Sequence, residues 1–170
     1  NGRYNVKNLL PDTEYVGYVL VIDAAQGIFV RGVASEEAIA TTTSVGSVNP
    51  EVELLGIYNG NDENGTIFGN AAATAGNPIV AVKHTNVDGA SALYGAISEG
   101  DDIGENGKPV SDQYIIAQFY GYWMEVNLDV PYNFYVAKWD IDQMVVAYAL
   151  DADGREGKVD RLFITEWTKA

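Results

Sequence analysis

Asp151-Ala152-Asp153-Gly154, with Glu156 and Asp160 close behind, offers hard oxygen donors of the kind that calcium takes. The run lacks the third acidic or amide residue that an EF-hand loop places before its glycine. Asp and Gly are also ordinary turn formers, and a turn is the simpler expectation for this segment. Asp151, Asp153 and Asp160 are the candidate ligands should calcium bind. Asn59 to Gly65 and Gly100 to Gly107 carry further loop carboxylates. His84 is the sole histidine. An imidazole can serve as a general base, but no Ser or Cys nucleophile pattern accompanies it, so a structural histidine on a strand is expected. With 24 acidic residues, some carboxylate pair falls within glycosidase distance by chance, and no catalytic pair is named. Phe119, Tyr120, Tyr122 and Trp123 form an aromatic cluster. Tyr120, Tyr122 and Trp123 are the candidate ligand contacts, since flat rings stack on sugars or anchor protein partners. The competing expectation makes Phe119, Tyr120 and Trp123 the buried stripe of a helix, with Tyr122 facing water.

These groups sit in a chain of 170 residues with a formal net charge of −14. That charge repels phosphate backbones and anionic headgroups, so neither nucleic acid nor a lipid surface is expected as partner. An apolar share of 47% is ordinary for a globular core. The absence of cysteine removes disulfides, Cys-ligated metals and thiol nucleophiles from consideration. No apolar run approaches the ~20 residues of a membrane-spanning helix. Asn64-Gly65-Thr66 is a glycosylation sequon, meaningful only in a eukaryotic secretory protein.

The elements that would position such groups are strands. Tyr4 to Val6 is extended, Pro11-Asp12 supplies a turn, and Tyr15 to Asp23 has the Val, Tyr, Leu and Ile content of a buried strand. A bend at Gln26-Gly27 leads to another apolar run from Ala38 to Thr43. This pattern returns about 130 residues later, with Tyr4-Asn5-Val6 on Phe134-Tyr135-Val136, Leu9 on Trp139, Tyr15 on Val145 and Tyr18 on Tyr148. Leu9, Pro11, Thr13 and Tyr15 resemble the Leu-x-Pro-x-Thr-x-Tyr stretch that joins strands E and F in fibronectin type III domains. The resemblance makes Tyr15 a tyrosine corner, whose hydroxyl bonds nearby backbone. It covers about the first 44 residues, with Thr41-Thr42-Thr43 at the family's strand G end. It also places Trp139 in a core position. Such a sandwich needs about seven strands, so residues 1–44 are expected to be strands E, F and G alone. A preceding segment or a separate chain would complete them.

Residues 45–50 read as a linker closed by Pro50, and 51–170 as a second immunoglobulin-like or fibronectin type III-like unit. Val52 to Tyr58 is its first strand. Ile79 to Thr85 is another, with Val80, Val82 and His84 on one face and Ile79, Ala81 and Lys83 on the other. Asp88-Gly89 signals a hairpin into Ser91 to Ile97. Ser111 or Asp112 caps a helix over 112–124, where Ile116, Phe119, Tyr120 and Trp123 share one side. Phe134 to Val136, Met144 to Asp151 and Arg161 to Trp167 complete the second copy of strands E, F and G, although it lacks the Pro, Thr and Tyr. The expected fold is thus all-β, two tandem sandwiches, the second with a helical insertion. Acidic, cysteine-free tandem modules of this look are similar to those of exported bacterial proteins, notably surface lipoproteins of the Bacteroides group. The resemblance implies a non-catalytic spacer or adhesion module at the cell surface or in the periplasm, contacting protein or glycan. A carbohydrate-binding accessory module is the first alternative, and a carboxylate-dependent hydrolase the second.

Overall fold

A computed structural model describes residues 6, 9–10, 12–17, 21–23, 28–30, 39–41, 44–60, 76–104, 107–119 and 121–167. The chain divides into two compact units, Asn1–Val45 and Gly46–Ala170, and is mostly β.

In the first unit, β1 (Glu14–Val16) pairs antiparallel with β4 (Ile39–Thr41), and β2 (Val21–Asp23) with β3 (Ile28–Val30). The expected strand from Tyr15 to Asp23 is therefore represented by β1 and β2, residues 18–20 lying outside the described residues. Most of the segment expected as strand E and the bend at Gln26-Gly27 lie outside them as well. Before β1, the Leu10 amide donates to the Tyr15 hydroxyl at 2.8 Å, the bond that a tyrosine corner makes. Asp12 turns the chain between them with a φ of 49°.

The second unit holds two antiparallel sheets. One has the order β5 (Glu51–Asn59), β6 (Pro78–Thr85), β9 (Tyr132–Val136). The other runs β11 (Asp160–Ile164), β10 (Gln143–Leu150), β7 (Ala92–Glu99), β8 (Met124–Glu125). Alternation on β6 sends Val80 and Val82 into a shared core with Ile57, Tyr135, Ala137, Val145 and Ile164. Burying one such aliphatic side chain contributes about 1.5–3 kcal/mol. A bulge between Leu54 and Gly56 breaks the alternation on β5, and Leu54 and Leu55 are exposed there.

β10 is buried from Gln143 to Ala149, on both of its faces. Val145 faces the core between the sheets. Met144, Val146 and Tyr148 pack on the opposite side with Ile115, Phe119, Ala96 and Val159. The cover on that side is α1 (Asp112–Gln118), whose Ser111 hydroxyl caps the Tyr114 amide at 3.2 Å. The helix is shorter than expected. Gly121 takes a φ of 86°, and the chain then extends so that Met124 can pair with Gly95 and Glu125 with Tyr94. Trp123 still reaches the helix by folding back, its indole N–H donating to the Ile116 carbonyl at 3.0 Å.

Two further expectations are corrected. The Asp88-Gly89 turn does not make a hairpin: β6 already has β5 and β9 on its two edges, and the turn carries the chain across to β7 in the other sheet. Gly46 to Pro50 is not a free linker. Val48 joins a core cluster with Leu93, Val126 and Ala149, and the Gly46 amide donates to the Glu156 carbonyl at 2.7 Å. A Cβ at Gly46 would collide with the Arg155 carbonyl, and one at Gly157 with the Val48 carbonyl. The second unit thus begins at Gly46.

The entry into β10 repeats the geometry seen before β1 with other residues. The Lys138 amide donates to the Gln143 side-chain oxygen at 3.0 Å, and Asp140 turns the chain with a φ of 57°. Leu10, Asp12 and Tyr15 thus correspond to Lys138, Asp140 and Gln143. Matching side chains sets Tyr15 on Val145 instead. A shift of two residues keeps every strand side chain on its own face, so apolar patterning cannot tell the two registers apart.

Candidate functional site

Asp151 closes a tight turn after β10. One carboxylate oxygen accepts from the Asp153 and Arg155 amides, both at 3.0 Å, and the other from the Ser47 amide at 3.2 Å. The Arg155 guanidinium lies 3.2 Å from that second oxygen and also pairs with Asp153. The backbone amide of Arg155, then those of Ser47 and Asp153 and the Arg155 charge, hold the Asp151 carboxyl below its ordinary range against the opposing effect of burial. Asp160 lies elsewhere, at the start of β11, where it accepts from the Val52 amide at 2.7 Å. Among the described residues no three His, Asp or Glu side chains gather as metal ligands would. Asp151 and Asp153 share a turn that backbone amides and Arg155 organise, and Asp160 does not join them.

His84 lies on the inward face of β6 and is 1% exposed. Neither ring nitrogen has a hydrogen-bond partner among the described residues. Burial pushes its pKa down to about 4, with the Asp160 charge pulling the other way. The neighbouring Tyr135 hydroxyl accepts from the Asn133 amide group at 3.1 Å, and burial raises its pKa. Gly95 makes room for both rings: a Cβ there would overlap the Tyr135 hydroxyl and stand 3.6 Å from His84 Cε1. An uncharged imidazole sealed in this way has no route to a surface-bound substrate.

The aromatic candidates separate. Tyr122 is 78% exposed. Trp123 is half-buried, its ring 5.3 Å from Phe119 and 4.8 Å from Tyr148 between centroids, and so belongs to the packing under α1. Tyr120 lies outside the described residues. Trp139 is half-buried against the core and 6.1 Å from Trp167 in an edge-on contact.

A cleft of about 270 Å³ opens between the end of β7, residues 101–104, Val110, α1 and Met144. Ile115, Phe119 and Met144 form its buried apolar floor, and Glu99, Asp101, Tyr114 and Gln118 stand exposed around it. Arg161 on β11 fastens the insertion that bounds this cleft. Its guanidinium is 3.0 Å from Asp102 and 2.7 Å from Asp112, and it donates to the Val159 and Val110 carbonyls. The other Asp112 oxygen accepts from the Val159 amide at 3.1 Å. Such a half-buried cation with two carboxylates is costly to break on one side only. Sequence reasoning missed Arg161, Asp102 and Gln143, because nothing local distinguishes them from surface polar residues. No protein-family model, curated protein or solved structure matches this chain.

Proposed function

We propose that the chain is a non-catalytic structural module of a bacterial cell-surface protein, built from fibronectin type III-like units. The observation that carries this is where the reactive side chains go. His84 is sealed in the core, Asp151 holds three backbone amides, and Asp102 and Asp112 hold Arg161. The strand order supports the fold assignment. Lettered A, B, C, C′, E, F and G along the chain, β5 to β11 divide into A-B-E and G-F-C-C′, the partition of the fibronectin type III sandwich. The Tyr15–Leu10 bond supports a related plan for the first unit. Among the described residues no helix is long and apolar enough to cross a membrane. Assaying the full chain on chromogenic glycosides and esters tests the proposal; no turnover is expected. Turnover that disappears in Asp101→Asn or Glu99→Gln would move the chain to the hydrolases.

The exposure of Tyr122 favours a second reading, a glycan-binding accessory module. Saturable glycan binding lost in Tyr122→Ala would select it over the spacer.

A further inference from the structure

We propose that the cleft beside α1 binds a primary ammonium group carried on an aliphatic chain, a property that holds whether or not the module also acts as a spacer. Its floor is Ile115, Phe119 and Met144, all buried and none offering a polar atom beyond a thioether. Ser98, Asp102 and Gln118 also line the cleft, so polar groups ring an apolar floor; hydroxyls turned towards that floor would lack partners, at a cost of about 1–3 kcal/mol for each. An aliphatic body meets no such penalty. At about 270 Å³ the space falls near the lower end of ligand pockets, ~300 Å³, and leaves ample room for a short alkyl chain.

Charge at the mouth sets the head group. Of the three carboxylates that line the cleft, Asp102 faces Arg161 and Glu99 pairs with Lys138. Asp101 gives an oxygen to the Ile103 amide at 3.0 Å and has no cationic partner among the described residues. An anionic ligand would meet an uncompensated carboxylate, whereas an ammonium supplies its missing counter-charge and three donors. Tyr114, half-exposed on the wall, adds a ring face on which a cation is favoured. The same chemistry is presented by a free alkylamine and by the lysine side chain of a protein partner.

The test is an NMR titration of the full chain with pentylammonium, with 1-pentanol as its neutral counterpart, and with acetyl-glycyl-lysyl-glycine amide. Saturable shifts at Ile115, Phe119 and Met144 are expected with pentylammonium, and pentanol should bind at least ~10-fold more weakly. Asp101→Asn should weaken pentylammonium by about 5–10-fold, while Asp129→Asn, an exposed carboxylate that does not line the cleft, should leave it unchanged. Both substitutions are at exposed positions and spare the core. Tighter binding of the peptide would assign the site to a partner's lysine, and tighter binding of pentylammonium to a free amine; either supports the proposal. No saturation by about 20 mM, equal affinity for pentanol, or an equal loss in Asp129→Asn would overturn it.

Discussion

The turn before β1 and the turn before β10 solve one problem with different chemistry. In each, a backbone amide donates to a side chain five residues further on. The first uses the Tyr15 hydroxyl in an exposed bond; the second uses Gln143, which is buried. Water can replace the tyrosine's bond when it is lost, but reaches the glutamine's less readily. The same hydrogen bond thus has unequal weight in the two places, because an amide left without a partner is expensive only where solvent is excluded. Geometry is common to both corners, and burial decides what each is worth.

Burial has its largest consequence at His84, for which the first unit has no histidine counterpart. The folded-state value near 4 lies below the ordinary 6.5, so the unfolded chain holds more protons between those limits. Stability is therefore complete above about pH 6.5 and falls as the pH drops towards 4, by about 3 kcal/mol. Asp160, which faces the ring electrostatically, favours the protonated form and lessens the loss. All three tryptophans, Trp123, Trp139 and Trp167, belong to the second unit, so their fluorescence during urea unfolding reports on that unit alone. Comparing wild type with His84→Leu at pH 7 and pH 5 separates this effect from the background of carboxylates. The substitution should flatten the acid slope and remove two unpartnered nitrogens from the core. An identical slope in both proteins would mean that the imidazole is not sealed as described.

Much of the second unit was legible because strand alternation is a local signal. The pattern sets Val80, Val82 and His84 on one face of β6; the structure buries all three, and Ile79 and Ala81 of the other face as well. Strands expected at 134–136, 144–151 and 161–167 correspond to β9, β10 and β11 within a few residues. The errors arose where distant groups decide. Asp88-Gly89 specifies a turn but not which sheet the next strand joins, and that depended on β9 taking the free edge of β6. Ser44 to Pro50 has a linker's composition, yet Asp151 and Glu156 draw its end into the fold. Arg161 meets Asp102 and Asp112 only after the chain has folded, so its role in bounding the cleft leaves no trace in local spacing.

The two corners can be compared directly by removing each acceptor. Gln143→Leu keeps volume in a buried position but leaves the Lys138 amide without its partner, and should cost the second unit about 2 kcal/mol. Urea unfolding followed by tryptophan fluorescence measures it; a loss no larger than the Tyr15 value would end the claim that burial sets the weight.

Tyr15→Phe is the smallest change, deleting a single hydroxyl while keeping the ring. The Leu10 amide then loses this exposed acceptor, so the loss should be about 0.5–1 kcal/mol. Because the first unit carries no tryptophan, the readout is amide hydrogen exchange at Leu10, which should speed up about 2–5-fold if local opening governs it. Exchange at Lys138 in the same sample is the internal reference and should not move. Were Leu10 exchange unaffected, the phenol would be packing at the sheet edge without holding the turn. The likeness between the two corners would then lie in backbone shape alone, with Asp12 and Asp140 rather than the acceptors setting it.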